Sequence, residues 1–293
     1  MPSLTQELMS QKVVDAPSFL KNNVMYECYM GSVAYGVSGD MSDIDVYGFA
    51  IPSKECLFPH LYGYIHGFGP NPPKFDQYIK HGIQYKEKEY DITIYNIVKY
   101  FNLVAGGNPN MIDSVFVPYN MIRHSTRVGE MVRENRHMFL SKLCYPAFKG
   151  YAYRQLHKAK HKKPEPCSKR YESYMTHGFD VKYAYHLIRL IDEIDQILST
   201  EDLDLQRNRE ELKAIRRGDL TLQEIENLAE IRETRLEKLF ANSKMREKPD
   251  YEALKNLLMR CIEEHYGKID NAIVNPDKYF KMVQEIRKIV DAH

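Results

Sequence analysis

No apolar run in this 293-residue chain approaches the roughly 18 to 20 residues that a membrane span requires. The N-terminal MPSLTQELMS also lacks the basic-then-apolar layout of a secretory signal, so the expected compartment is the cytoplasm and no membrane partner is expected. Cysteine is sparse. Cys28, Cys56, Cys144, Cys167 and Cys261 are odd in number, far apart and free of any CxxC pair, which argues against a disulfide framework or a thiolate zinc site and for reduced thiols. Glycine and proline, at 15 and 14 residues, are too few for a collagen or low-complexity chain. There is no internal repeat and no heptad run long enough for a coiled coil. Excess charge is missing too: at a net +1, the molecule as a whole has no strong field for polyanions.

What is present is an ordinary globular balance, 43% hydrophobic and 28% charged, at a length that allows one large domain or two ordinary ones around a real core. The charge is segregated along the chain. Lys142, Lys149, Arg154, Lys158, Lys160, Lys162, Lys163, Lys169 and Arg170 stand against the single acid Glu165, with His157 and His161 interleaved. From Ile191 to Leu205 the sign reverses, with Asp192, Glu193, Asp195, Glu201, Asp202 and Asp204 and no lysine or arginine.

The pattern of the first part predicts an α+β fold. Val24 to Met30 and Ile44 to Ile51 read as strands, and Gln77 to Thr93 as a hairpin feeding another strand. The proline- and glycine-rich stretch from Pro52 to Pro73 reads as an irregular inserted excursion. Ile94 to Ala105 reads as a helix stopped by Gly106-Gly107, Val115 to Pro118 as a short strand, and Met121 to Asn135 as a further helix. Beyond residue 139 the periodicity is helical, over Phe139 to Lys160, His177 to Leu198, Arg207 to Arg217, Leu222 to Phe240 and Tyr251 to Tyr266. Thr221 and Glu224 have capping-box spacing, and Lys160 to Ser168, with its two prolines, is the best linker. The expected architecture is a small mixed sheet with flanking helices in residues 1–138, followed by an all-helical region, basic at its start, in 139–293.

Three short stretches carry chemistry: Met30-Gly31-Ser32-Val33-Ala34-Tyr35-Gly36, Ser42-Asp43-Ile44-Asp45-Val46-Tyr47-Gly48 and Glu89-Tyr90-Asp91-Ile92-Thr93-Ile94. Residues two apart on a strand share a face, so Asp43 and Asp45 would stand side by side while Ile44 and Val46 enter the core. Two adjacent carboxylates repel unless a divalent cation neutralises them, and such a hard-oxygen pair suits Mg²⁺ bound together with substrate phosphates. Asp91 on a neighbouring strand would bring a third acid to the same ions. That places the third acid within about 10 Å of the other two, because Mg–O bonds are only about 2.1 Å long. Three acids sharing two ions suit phosphoryl or nucleotidyl transfer, in which one ion activates the attacking hydroxyl and the other stabilises the leaving pyrophosphate. Gly31 and Ser32, at the end of the first strand, suit close approach of a triphosphate to the backbone. Each stretch taken alone has a plainer reading: the Gly-Ser dipeptide as a strand-end turn, the two aspartates as a solvated face.

Together these residues resemble the DNA polymerase beta-like nucleotidyltransferase superfamily: a hydrophobic residue, Gly-Ser, a ten-residue spacer, Asp-x-Asp on a strand and a later strand acid, here over residues 24–94. The longer pattern, GSxAYG with SDIDVYG, then Gly107-Asn108-Pro109-Asn110 and Lys182-x-x-x-His186-x-x-Arg189, resembles the branch called the RNA repair pathway DNA polymerase beta family, over residues 24–190. The resemblance implies two Mg²⁺ ions, with Mn²⁺ as the substitute, held by Asp43, Asp45 and Asp91. It also implies triphosphate binding at Gly31 and Ser32. The implied enzyme moves an NMP from an NTP to a hydroxyl acceptor and releases pyrophosphate; the preferred acceptor is an RNA 3′ end, for instance that of a tRNA, with a protein or small molecule as alternatives.

Two further features are open. On a helix, Lys182, His186 and Arg189 fall within about 60° of one another, opposite Ala184, Leu187, Ile188 and Ile191. They form either a solvated stripe or a face that neutralises the triphosphate. The basic segment interleaves Tyr145, Phe148, Tyr151 and Tyr153, so Lys149, Arg154 and Lys158 are candidates for nucleic-acid binding, against a basic helix whose aromatics serve the core. His60, His66 and His81 show no metal-ligand spacing and receive no role. Two other classes compete. A nucleotide- or RNA-binding module without turnover conflicts with the intact acids. An Asp-x-Asp glycosyltransferase lacks the upstream Gly-Ser, the later strand acid and a βαβ repeat.

Overall fold

The computed structural model describes residues 2–39, 43–166, 168–268 and 285–290. Five strands form one mixed sheet in the order β3-β4-β2-β1-β5: β1 (Val24–Met30), β2 (Ile44–Ala50), β3 (Gln77–Tyr85), β4 (Lys88–Asn96) and β5 (Ile122–Ser125). β1 pairs antiparallel with both β2 and β5, β3 pairs antiparallel with β4, and β2 and β4 run parallel. The β3–β4 hairpin turns on Lys86 and Glu87, both at positive φ, a two-residue turn whose twist matches its strands. The stretch between β2 and β3 holds only single turns at Lys54–Leu57 (α3) and Pro59–Tyr62 and a bridge between Ile65 and Phe68, an irregular excursion as expected.

The helices are α1 (Leu4–Ser10), α2 (Leu20–Asn23), α4 (Ile97–Ala105), α5 (Pro109–Phe116), α6 (Arg127–Glu134), α7 (Cys144–His161), α8 (Lys169–His177), α9 (Val181–Thr200), α10 (Arg209–Arg217), α11 (Leu222–Asn242) and α12 (Tyr251–Tyr266). Among the described residues no helix is long and apolar enough to cross a membrane. Cys28, Cys56, Cys144 and Cys261 are free thiols, and Cys167 lies outside the described residues. The expected capping box is present: Thr221 Oγ1 accepts the Glu224 N–H, and Glu224 accepts the Thr221 N–H at 2.8 Å.

Alternation along the strands splits the core in two. Val46, Ile92 and Ile94 point to one face, where α1 lays Leu4 and Leu8 over them. Tyr26, Cys28 and Phe49 point to the other face, against a larger apolar cluster that continues through α4, α5, α7 and α9 to Leu257 and Cys261 of α12. The central helix of that cluster is α9, whose Ala184, Leu187, Ile188, Leu190, Ile194 and Ile197 are all buried. Fully burying each of these leucine and isoleucine side chains contributes about 1.5–3 kcal/mol.

Three local expectations are corrected. Val115 and Phe116 belong to a helix, not a strand: Asn108 caps α5 by accepting the Met111 N–H, Pro109 pre-sets its first turn, and the helix runs to Phe116. The strand lies further on, at Ile122–Ser125, inside the stretch expected to be helical from Met121. Those residues are drawn into β5 by the open edge of β1, pairing Tyr26 with Ser125 and Cys28 with Ile122, and α6 starts only after Thr126 caps it. Residues 94–96, read as the start of a helix, complete β4, and the Asn96 side chain caps α4 by accepting the Val98 N–H at 2.9 Å.

Candidate active site

Where β1 ends and β2 and β4 begin, the sheet opens into a cleft of about 1020 Å³. Asp43, Asp45 and Asp91 all line it, with Gly31, Ser32 and Tyr47. Asp43 sits in the residue preceding β2 and is exposed; Asp45 is the second residue of β2 and half-buried. The parallel pairing puts Asp45 directly opposite Asp91, on strands about 4.8 Å apart, so their side chains leave the same face. Burial raises the Asp45 carboxyl above its ordinary range; Lys182 pulls it back down, while Asp91 and Asp43 push it up.

Gly31 closes this corner from below. Its φ is +65°, and a Cβ there would lie 2.3 Å from Asp45 Oδ2, so both the backbone conformation and the carboxylate exclude a side chain. Asp91 is held from its outer side. Oδ1 accepts the Gly82 N–H at 2.8 Å and Oδ2 lies 3.0 Å from His81 Nδ1. Both partners sit in an irregularity of β3 between Lys80 and Ile83, where Gly82 has φ +66°. Among the described residues no three acidic, histidine or cysteine side chains are gathered tightly enough to close around one ion. The all-oxygen donor set, its mutual repulsion and the space left by Gly31 nonetheless fit a hard divalent cation. The role of His81 and Gly82 at Asp91 escaped the sequence reading, although a lone glycine inside a strand pattern is itself a bulge signal.

The loop after β1 is pinned by the helical part of the chain. The Tyr35 hydroxyl donates to Asp113 Oδ2 at 2.8 Å, Gln206 Nε2 donates to the Ala34 carbonyl at 3.0 Å, and Arg216 donates to the Val37 carbonyl. Within the loop, the Val37 N–H bonds the Ser32 carbonyl at 2.9 Å, which folds the chain back on itself with Ser32 at the cleft.

The opposite wall is cationic. Asp180 caps α9 by accepting the Lys182 N–H at 2.9 Å, and Lys182 and His186 then line the cleft one turn apart. Arg170 of α8 and Arg216 of α10 join them. Burial pushes His186 well below its ordinary pKa, and Arg189, Lys182, Arg170 and Arg216 push it the same way, so its ring is neutral near pH 7. Arg189 itself does not line the cleft. It is 4% exposed, its Nη1 lies 2.5 Å from Asp113 and 2.8 Å from Glu193, and its guanidinium stacks 4.2 Å from the Tyr35 ring. The stripe read from helical spacing therefore divides: Lys182 and His186 face the cleft, and Arg189 turns into the core, where α5 supplies its acid. Arg170 and Arg216 carry no signature of their own in the sequence, because only the packing of α8 and α10 against α9 aims them at the cleft.

Of the three basic residues proposed for nucleic acid, Lys149 lies toward α11, 2.6 Å from Glu233. Arg154 and Lys158 lie on the other side of α7, over the rings of Tyr151 and Tyr183.

The chain's sequence matches the family model described as the RNA repair pathway DNA polymerase beta family over residues 5–260. No curated protein matches it. Among solved structures it is similar to a nucleotidyltransferase-like protein from Exiguobacterium sibiricum 255-15, with 8% identity, coverage of 89% of this chain and 79% of that one, and a TM-score of 0.30.

Proposed function

Because the chain belongs to the RNA repair pathway DNA polymerase beta family, we propose that it is a nucleotidyltransferase that moves an NMP from an NTP onto the 3′-hydroxyl of an RNA and releases pyrophosphate. The observation that carries this reading is Asp45 opposite Asp91 on a parallel strand pair, with a side-chain-free Gly31 beneath them and a cationic wall across the cleft. In this assignment residues 1–138 supply the acids and the phosphate loop, and 139–293 supply the cations and the acceptor contacts.

The acceptor hydroxyl attacks the α-phosphorus, its bond to the β-phosphate oxygen breaks, and pyrophosphate leaves. Asp91 takes the hydroxyl proton. Ser32 and its neighbouring backbone hold the β- and γ-phosphates, and Lys182, Arg170 and Arg216 offset their charge. His186, kept neutral by burial and by the surrounding cations, acts as a hydrogen-bonding group rather than a charge. Asp43, Asp45 and Asp91 would hold the divalent cations, which when bound neutralise phosphate charge and acidify a coordinated hydroxyl.

The test is incubation with each of the four α-labelled NTPs, Mg²⁺ and defined RNAs beside a whole-cell extract. Label in RNA with release of pyrophosphate is expected. Label in protein or small molecules alone would overturn the acceptor, and NTP binding without transfer of label would overturn the activity.

A further inference from the structure

Folding divides the basic segment of 142–170 into two stripes on α7, only one of which meets acid. At about 100° per residue, Lys149, Tyr153 and Lys160 fall on one side of the helix and Tyr151, Arg154 and Lys158 on the other, with Lys162 following at its C-terminal cap. The first stripe is neutralised by α11: Lys149 Nζ lies 2.6 Å from Glu233 and 3.4 Å from Glu237, Lys160 Nζ lies 3.0 Å from Glu226, and the Tyr153 hydroxyl donates to Glu233 at 2.5 Å.

The second stripe has no such partners; among the described residues no carboxylate stands within ion-pair distance of Arg154, Lys158 or Lys162. Its cations rest on aromatic rings instead. The Arg154 guanidinium is 4.2 Å from the centre of Tyr151, and Lys158 and Lys162 are 5.6 and 5.9 Å from the centre of Tyr183. Arg170 reaches the same Tyr183 ring at 4.8 Å while sharing Asp180 at 3.4 Å. Three cations drawn to one ring repel one another, and the ring quadrupole offsets only part of that repulsion. A polyanion would relieve what is left. The stripe is continuous with the cleft, because Arg170 lines the cleft and Lys182, the residue before Tyr183, faces Asp45 across it.

We propose that Arg154, Lys158 and Lys162, with Arg170 at the inner end, bind successive phosphates of a single-stranded RNA acceptor and lead its 3′ end to Asp91. From residue 154 to 162 the row spans about 12 Å at 1.5 Å per residue, room for more than one phosphate. A row of unneutralised cations spaced along a helix matches the regular charge of a nucleic-acid backbone. The proposal rests on the nucleotidyltransferase reading for the identity of the acceptor, but its contacts are measured without turnover.

The experiment titrates a fluorescein-labelled single-stranded oligoribonucleotide by anisotropy over a range of salt concentrations, using the full chain, the double variant Lys158→Ala/Lys162→Ala and the double variant Lys142→Ala/Lys160→Ala. The second pair removes equal charge from lysines already bound to Glu247 and Glu226. The first pair is expected to weaken binding about tenfold or more and to lower the slope of log K against log salt by about 1.4, at 0.7 per single-strand phosphate contact. The second pair is expected to change affinity less than about twofold, as for lysines that make no phosphate contact. Equal weakening by both pairs would reduce the effect to net charge and overturn the proposal, as would unchanged binding by the first. Equilibrium dialysis of an NTP separates the remaining case: loss of NTP binding in Lys158→Ala/Lys162→Ala would reassign the stripe to the triphosphate. Transfer of label is scored separately, so absent transfer with intact stripe-dependent RNA binding would count against the nucleotidyltransferase reading alone.

Discussion

Asp45 and Asp91 stand opposite each other on the parallel strands β2 and β4, close enough that the charge of Asp91 raises the cost of ionising Asp45. Parallel neighbours are joined by a long crossover, here 37 residues between Ala50 and Lys88 that also contain β3, so the meeting of these acids is a property of the sheet and of no local turn.

Asp45→Asn is expected to lower NMP transfer by at least about 10²-fold and to leave the melting temperature unchanged or higher, because it removes a half-buried charge that burial disfavours. Asp43→Asn should behave alike in transfer. Transfer assays beside thermal melts check both, and full activity in the two variants would remove the acids from the mechanism.

Gly31→Ala should damage both fold and activity. The new Cβ would occupy positive-φ backbone and press on Asp45 Oδ2. A loss of about 1–3 kcal/mol is expected from the backbone alone. A melt that matches the parent would show that the loop after β1 can shift.

Lys182→Ala and Arg189→Ala should separate cleanly. Lys182 is exposed at the cleft, so its loss should raise KM for NTP with little change in melting temperature. Arg189 bridges Asp113 and Glu193 in the core, so its loss strands two buried carboxylates and should cost about 3–5 kcal/mol. Equal melting temperatures for the two variants would contradict this division.

His186 predicts a pH dependence of stability. Its folded pKa lies well below its unfolded value near 6.5, so below that pH the unfolded chain binds a proton that the folded chain refuses. Its contribution is complete above about pH 6.5 and is lost as pH falls, by at most about 1.4 kcal/mol per unit, less what solvent at the cleft screens. Denaturant melts from pH 7.5 to 5 should show this slope, and His186→Gln should flatten it.

Much of this was legible in the chain. The strands β1 and β2, the β3–β4 hairpin, the glycine stop after α4, the capping box of α11 and the span of α12 all follow from local pattern and cap chemistry. β5 did not, because residues 122–125 become a strand only against the open edge of β1, and α5 hid behind β-branched residues that its Asn108-Pro109 start overrode.

The sequence by itself determined which residues have the chemistry: an Asp-x-Asp on a strand behind a Gly-Ser turn, a later strand acid, and helices rich in cations. Tertiary structure alone decided which of those groups meet. Strand register set Asp91 beside Asp45, the docking of α8 and α10 on α9 brought Arg170 and Arg216 to the cleft, and α5 and α11 took Arg189 and Lys149 away from it. Spacing along a helix or strand fixes direction within one element, whereas a charge finds its partner only when the burial of apolar faces brings separate elements together.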